Sequence, residues 1–161
     1  MHLKNKKLIP NLTELAELCQ KHSYDGKNIV MTNGCFDILH SGHTYILEES
    51  KKLGDVLVVA LNSDKSIKKI KSSSRPIISG IDRAYMLSCL SAVDYIILFD
   101  DETPEKIIST LIPDILVKGS DYKAKKIAGE EILLKNNKKK ALIDLIDGKS
   151  STSIIEKILK L

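Results

Sequence analysis

The sequence of 161 residues is poor in aromatic side chains and in cysteine, and it has no long apolar segment. Aromatic residues make up 4% of the chain, which disfavours a nucleic-acid interface built on base stacking. The three cysteines are widely spaced and form no CxxC pair, so neither a zinc site nor a disulfide framework is indicated. No apolar run reaches the roughly 20 residues of a bilayer-spanning helix, and no secretion signal opens the chain. We therefore expect a cytoplasmic protein that binds neither membrane nor nucleic acid.

Arginine is also scarce. Among 25 basic residues only Arg75 and Arg83 are arginines, and the net charge is +4. The densest lysine cluster, within residues 135–140, contains no aromatic residue and is best interpreted as a solvated turn. A guanidinium group matches the geometry of phosphate oxygens. Two arginines in so lysine-rich a chain are therefore a weak indication of phosphate recognition.

Strand-like and helix-like segments alternate along the chain. The predicted strands are residues 27–32, 56–61, 95–99, 115–118 and 141–146. The predicted helices are residues 11–22, 44–53, 65–70, 81–92, 104–111, 123–135 and 153–159. This alternation predicts an α/β fold, a Rossmann-like doubly wound parallel sheet of about five strands. We expect a single domain over residues 1–161, in which a helical extension, residues 1–26, precedes the core, residues 27–161.

The most informative segment is 33–43, which reads Asn-Gly-Cys-Phe-Asp-Ile-Leu-His-Ser-Gly-His. It lies between a predicted strand and a predicted helix, so His40 and His43 share one face of a helix start. Free backbone N–H groups and the positive end of the helix dipole attract phosphate there. Imidazole donors would add stabilisation for a phosphate that gains charge as it reacts. The segment predicts a site of phosphate chemistry.

Other interpretations of this segment remain open. Zinc would need a third ligand, which no histidine or cysteine supplies at a useful spacing, and the two histidines can also be structural. Asp37 has three candidate roles: it could orient a histidine, hold Mg²⁺ or bind a ribose. Cys35 has no neighbour that would activate it as a nucleophile, so we interpret it as structural or as a backbone donor.

Three further polar loops follow predicted strands: residues 62–64 with 71–75, residues 118–122, and residues 147–153. Ligands of parallel α/β sheets bind beyond the carboxyl ends of the strands, so these loops should converge. Residues 150–153 are all hydroxyl-bearing and serve either as ordinary helix caps or as a second phosphate-binding helix start. Lys118 ends a strand and Lys71 lies in a polar loop, and each suits either an anionic ligand or solvent. No side chain is visibly paired with a base as a covalent nucleophile, which favours direct transfer between bound substrates.

The run Gly34-x-Phe36-Asp37-x-x-His40-x-Gly42-His43 resembles the HxGH signature of the nucleotidyltransferase superfamily, which includes cytidylyltransferases. Within it, the chain is most similar to the heptose 1-phosphate adenylyltransferase branch. The segments that carry this resemblance are 32–40, Asn62-Ser63-Asp64, Ser74-Arg75-Pro76, Asp82-Arg83, 117–122 and Ile127-Ala128-Gly129. The departures are mild: Ser72 stands where that branch often has glycine, and Ser151 replaces a threonine.

The resemblance implies a reaction of ATP with D-glycero-D-manno-heptose 1-phosphate that yields ADP-heptose and pyrophosphate, with Mg²⁺ bound mainly through the triphosphate. The implied catalytic residues are His40, His43 and Lys118. The implied nucleotide-binding residues are Thr32, Asn33, Gly34, Cys35, Phe36, Gly42, Arg83, Gly119, Ser150, Ser151, Thr152 and Ser153. The implied substrate-binding residues are Asp37, Asn62, Asp64, Lys71, Arg75, Asp121 and Tyr122. No residue is assigned as a metal ligand.

The resemblance also implies partners. A separate heptose 7-phosphate kinase would act upstream, and a homodimer is expected because two-fold dimers are the commonest assembly. The product would feed lipopolysaccharide or another heptose-containing glycan. Two alternatives are a cytidylyltransferase or adenylyltransferase with another acceptor, such as glycerol 3-phosphate or a flavin precursor, and a nucleotide-binding regulatory module without turnover.

Overall fold

The computed structural model describes residues 6–124 and 127–161. In these residues five strands form one parallel sheet with the order β3-β2-β1-β4-β5. The strands are β1 (Ile29–Gly34), β2 (Val56–Asn62), β3 (Tyr95–Phe99), β4 (Ile115–Gly119) and β5 (Lys139–Ile143). The predicted parallel α/β sheet is therefore confirmed.

Helices connect the strands and cover both faces of the sheet. They are α1 (Leu12–Tyr24), α2 (Ser41–Lys51), α3 (Asp64–Ile70), α4 (Gly80–Ser88), α5 (Glu105–Leu111), α6 (Glu130–Lys135) and α7 (Ser151–Ile158). A 3₁₀-helix, Ser120–Tyr122, directly follows β4. One core cluster contains buried residues of α1, α5 and α6, and the other contains buried residues of α2 and α4. The predicted doubly wound arrangement is confirmed by these two layers.

The central strand β2 shows why the sequence folds in this way. Its residues are all buried, and alternate side chains enter the two core clusters, as Val58 and Val59 do. A strand covered on both faces needs apolar residues at every position rather than at every second one. The continuous apolar run of residues 56–61 meets that need.

Several predicted elements differ from the structure, and the helix predicted over residues 81–92 is Gly80–Ser88. The helix predicted over residues 123–135 is only Glu130–Lys135, because Gly129 at φ +84° starts the helix there; residues 125 and 126 lie outside the described part. The fifth strand covers residues 139–143 rather than 141–146, since Leu145 and Ile146 are partly exposed beyond Asp144. Ahead of α1, residues 7–9 are extended against β3 rather than helical, and residues 1–5 of the predicted extension are outside the described range.

The strand order positions the site. From β1 the chain moves outward to β2 and β3 on one side, and β4 and β5 lie on the other side. The order therefore reverses between β1 and β4, and a crevice opens at the carboxyl ends of strands where the order reverses. Thr32 of β1 pairs with Val117 of β4, so the loop after β1 and the end of β4 face the same crevice.

Candidate active site

A cavity of about 520 Å³ opens at this crevice. Most of its lining comes from residues that the sequence analysis selected, and it brings segments from four strand ends together. The selected residues that line it are Thr32, Asn33, Gly34, Cys35, Phe36, Asp37, His43, Asn62, Lys71, Lys118, Gly119, Tyr122 and Ser151. The selected residues that do not line it are His40, Gly42, Asp64, Arg75, Arg83, Asp121, Ser150, Thr152 and Ser153.

The two histidines of the HxGH run form one unit at the start of α2. His40 is the N-cap, and its Nδ1 accepts a hydrogen bond of 3.1 Å from the Gly42 backbone N–H. The rings of His40 and His43 stack with centroids 3.8 Å apart and planes inclined by 23°. Phe36 also packs against His43, with ring centroids 5.0 Å apart. His43 faces the cavity, and His40 orders the helix start behind it.

Burial keeps both imidazoles neutral at neutral pH. Burial, with the nearby charges of His40 and Lys71, lowers the pKa of His43 to about 4, although the Ile38 backbone carbonyl acts in the opposite direction. The pKa of His40 is also lowered, first by burial and then by Lys149. A neutral imidazole carries one N–H donor. A polyanion placed in the cavity would favour the protonated form of His43.

Gly42 is required by close packing at the start of α2. A Cβ atom at this position would lie 3.0 Å from ring atoms of His40 and 3.1 Å from the Cβ of Lys149. The glycine therefore lets the stacked histidines approach the loop that precedes α7. This loop supplies Ser151 to the same cavity.

Lys118 supplies a buried positive charge across the cavity. Its side chain is 7% exposed, and its Nζ donates to the side-chain oxygen of Asn33. The Nζ also lies 5.0 Å from the centroid of the Tyr122 ring. Burial lowers the pKa of Lys118 to about 8, although the Asp121 charge acts in the opposite direction. Lys71, at the end of α3, adds a second lysine to the lining.

Asp37 and Arg75 bind each other rather than presenting free groups. One carboxylate oxygen of Asp37 accepts from the N–H groups of Ile77 and Ile78 at 2.7 and 3.0 Å, and the Arg75 Nε donates to the other oxygen. Burial raises the pKa of Asp37, but the hydrogen bonds from Ile78, Arg75 and Ile77 outweigh it and hold the pKa below its ordinary value. Both side chains therefore hold the 75–78 segment, and their contact with substrate remains a prediction.

Arg83 is held inside the protein by four hydrogen bonds. Its side chain is fully buried, and its Nη1 donates to the backbone oxygens of Cys35 and Asn62 at 2.5 and 2.8 Å. Its Nε donates to the Ile78 carbonyl at 2.9 Å and its Nη2 to Asp64 at 2.7 Å. Arg83 is thus engaged with Asp64 and with loop carbonyls, and the phosphate contact of Arg83 and the substrate contact of Asp64 remain predictions.

The hydroxyl-rich start of α7 is divided between capping and the cavity. Ser150 and Ser153 form a reciprocal capping box, so the ordinary cap interpretation holds for these two side chains. Thr152 is exposed. Ser151 alone lines the cavity, and its hydroxyl donates to the Ile38 carbonyl at 3.3 Å. The loop after β1 and the start of α7 are thereby joined.

Sequence reasoning missed six lining residues: Ile46, Ile70, Glu102, Thr103, Pro104 and Ala128. Glu102 belongs to the acidic run that follows β3. The rule that ligands bind beyond strand ends applies to β3 as it does to β1 and β4. That rule, applied to every predicted strand, would have selected Glu102.

No cluster of three metal-binding side chains occurs among residues 6–124 and 127–161. The lining carboxylate of Asp37 is already occupied by three donors. Glu102 is the other carboxylate of the lining. In the same part of the chain no helix is long and apolar enough to cross a membrane.

Comparison with known proteins decides the family. A model described as cytidylyltransferase-like matches residues 31–157, which include the histidine pair, Lys118 and the start of α7. The chain belongs to the cytidylyltransferase-like family. The superfamily indicated by the HxGH run is therefore confirmed.

Curated relatives of this cytidylyltransferase-like chain are named bifunctional protein HldE. This chain is 51% identical over 134 residues to the protein of Syntrophotalea carbinolica, and the alignment covers 83% of this chain and 27% of the relative. This chain is 46% identical over 151 residues to the protein of Citrifermentans bemidjiense, and the alignment covers 94% of this chain and 31% of the relative. For Campylobacter fetus the identity is 53% over 133 residues, with 83% and 28% covered. The chain spans less than a third of the length of these relatives.

Solved structures support the same family and fold. The lipopolysaccharide core biosynthesis protein of Thermoplasma volcanium is 32% identical, with a TM-score of 0.61 over 77% of this chain and 100% of that one. The pantoate-beta-alanine ligase of Francisella tularensis is 15% identical, with a TM-score of 0.60 over 96% and 79% of the two chains. The similarity to the ligase shows a shared fold alone.

Proposed function

We propose that this cytidylyltransferase-like chain transfers AMP from ATP to D-glycero-D-manno-heptose 1-phosphate and releases pyrophosphate. The observation that carries the proposal is the stacked pair of His40 and His43, of which His43 faces a cavity that also contains Lys71, Lys118 and Ser151. Neutral imidazoles, lysines and hydroxyls are the donors that phosphoryl oxygens require. The choice of heptose rests on the similarity to HldE proteins and to a lipopolysaccharide core biosynthesis protein.

In the proposed reaction, a phosphate oxygen of the sugar phosphate attacks the α-phosphorus of ATP. A new oxygen–phosphorus bond forms, the bond between the α-phosphorus and the bridging β-oxygen breaks, and pyrophosphate leaves with the electron pair. The protein's contribution is positioning and charge stabilisation. We assign His43 and Lys118 to the charge that develops around the α-phosphoryl group. His40 positions the ring of His43 through their stack.

The nucleotide substrate is MgATP in this proposal. The carboxylate of Asp37 is occupied, and the described residues offer no metal cluster. The cation would be held by the triphosphate itself and would reduce its charge. Removal of Mg²⁺ with a chelator should therefore abolish turnover without changing the thermal midpoint of the protein.

Pyrophosphate release tests the proposal. Purified protein should release pyrophosphate from MgATP when D-glycero-D-manno-heptose 1-phosphate is present, and the sugar product should be ADP-heptose by mass spectrometry. CTP with the same acceptor, and ATP with glycerol 3-phosphate or a flavin precursor, test the alternative members of the superfamily. The His43→Ala variant should lose about 10²-fold or more in kcat. The proposal would be refuted if no sugar phosphate supported turnover.

We also propose a homodimer. Ile77, Ile81 and Tyr85 are exposed apolar residues, and the last two lie one turn apart on α4. A two-fold symmetric contact through such a stripe would remove these side chains from water. Tyr85→Glu should convert the dimer to a monomer in light scattering, and an unchanged mass would refute this interface.

The acceptor must be phosphorylated before this reaction. We propose that a heptose 7-phosphate kinase acts earlier in the same route, and that the product supplies lipopolysaccharide synthesis. Since the reaction consumes ATP, we assign it to the cytoplasm. A cell that lacks this activity should accumulate the sugar 1-phosphate, which mass spectrometry of an extract would detect.

A further inference from the structure

Glu102 is the unexplained charge of the active-site cavity. It follows β3, lines the cavity and is exposed. Asp37, the other carboxylate of the lining, is occupied by Arg75 and by the N–H groups of Ile77 and Ile78. Within the described residues no hydrogen bond or ion pair involves the Glu102 side chain. It is therefore free to bind a ligand.

A free carboxylate is unexpected at a site that handles several phosphates. Like charges repel within the cavity, so Glu102 suits a part of the bound substrates that carries no negative charge. An ionised carboxylate only accepts hydrogen bonds. The matching ligand groups are hydroxyls or amines, and a sugar phosphate presents several hydroxyls away from its phosphate.

The sheet places Glu102 away from the reversal of strand order. The crevice at the reversal of strand order lies between β1 and β4, and this is where a nucleotide is expected. Glu102 follows β3, which is two strands from β1, a displacement of about 10 Å. The apolar side chain of Ile70 and the loop residue Thr103 also line the cavity. This part of the cavity is suited to a second substrate beside the nucleotide.

We propose that Glu102 binds hydroxyl groups of the acceptor sugar and selects a polyhydroxylated sugar phosphate as the substrate. The inference rests on the proposed nucleotidyl transfer and adds a specificity-determining residue to it. A carboxylate that accepts from two neighbouring hydroxyls rejects an acceptor that lacks them, because the charge would then stay unpaired. Lys71 and Lys118 keep the phosphate side of the cavity positive.

The test compares Glu102→Ala, Glu102→Gln and the control Glu105→Gln. Glu105 is exposed three residues further along and does not line this cavity. For Glu102→Ala we expect the KM for heptose 1-phosphate to rise about 10-fold or more, as for loss of a charged hydrogen bond. Glu102→Gln keeps an acceptor oxygen and should show a smaller rise. Glu105→Gln should match the wild type.

Calorimetry gives the second readout. The affinity of a non-hydrolysable ATP analogue with Mg²⁺ should be unchanged in Glu102→Ala, whereas that of heptose 1-phosphate should fall. An unchanged KM for the sugar phosphate, weaker binding of the nucleotide, or a higher Mg²⁺ requirement would each overturn the inference. A wild-type protein without any transferase activity would instead refute the proposed function, so the two failures are distinguishable.

Discussion

His40 and His43 stack with their ring centroids 3.8 Å apart, and of the two rings His43 lines the cavity. Because the Nδ1 of His40 accepts from the Gly42 N–H at 3.1 Å, the neutral ring of His40 carries its proton on Nε2. His43 packs against both this ring and Phe36 and lines the cavity. The start of α2 thereby holds one imidazole rigidly at the place where a phosphate would bind.

Gly42→Ala should disturb this stack. The added Cβ would lie 3.0 Å from the His40 ring and 3.1 Å from Lys149, so the ring or the loop must move. We expect kcat/KM for ATP to fall about 10-fold or more. Ser41→Ala, a change at the adjacent exposed position, should leave kcat/KM unchanged. Equal rates for both variants would contradict the packing argument.

Arg83→Lys should destabilise the protein. A lysine cannot reproduce the four contacts of the buried guanidinium, and the carbonyls of Cys35, Asn62 and Ile78 would lose their donors. We expect a loss of about 3 kcal/mol in the free energy of unfolding, measured in urea. Asp64→Asn, at a side chain that is 45% exposed, should cost less than about 1 kcal/mol. Full stability of Arg83→Lys with a raised KM for ATP would instead favour a phosphate contact.

The stability of the protein should fall in mild acid because of His43. Its pKa is lowered from 6.5 to about 4 in the folded chain, so between these values the unfolded chain binds a proton that the folded chain does not. His43 causes no loss of stability above pH 6.5, and the loss grows as the pH falls toward 4. Urea midpoints at neutral pH and at about pH 5 should differ less for His43→Gln than for the wild type. The same difference in both proteins would contradict this assignment.

Lys118 should limit activity at alkaline pH. With a pKa lowered to about 8, the ammonium group of the free enzyme loses its charge as the pH rises through that value. The kcat/KM for ATP should therefore decline on the alkaline side. Lys118→Arg stays charged, so its profile should be flat there at a lower overall rate. An identical alkaline decline in both proteins would exclude Lys118 as its cause.

The sequence was sufficient to predict the sheet and to select most of the residues that line the cavity. Residues 56–61 form the continuous apolar run that a strand buried on both faces requires, and the HxGH run marks the crossing from β1 to α2. The HxGH run also predicted the family. Each of these features depends on residues that are close together in the sequence, so it can be recognised without the tertiary structure.

The roles of Arg83, Asp37 and Ser150 could not be predicted in the same way. A guanidinium group donates equally well to phosphate and to backbone carbonyls, and burial decides which it meets. Asp37 meets Arg75 across 38 positions of sequence, a contact that no spacing reveals. Ser150 and Ser153 satisfy each other, although their composition alone also suits an anion. Glu102 was missed because an acidic residue is a poor indicator of a phosphate site.

Histidine resonances test the central claim most directly. The chain has four histidines, and His22 contacts Tyr95 at 2.9 Å, near the start of β3 and away from the cavity. On addition of Mg²⁺ and a non-hydrolysable ATP analogue, we predict that the pKa of His43 rises from about 4 by about one unit or more while the resonances of His22 stay in place. If calorimetry shows that the analogue binds and neither His40 nor His43 shifts, the paired imidazoles do not contact the triphosphate and the account is wrong.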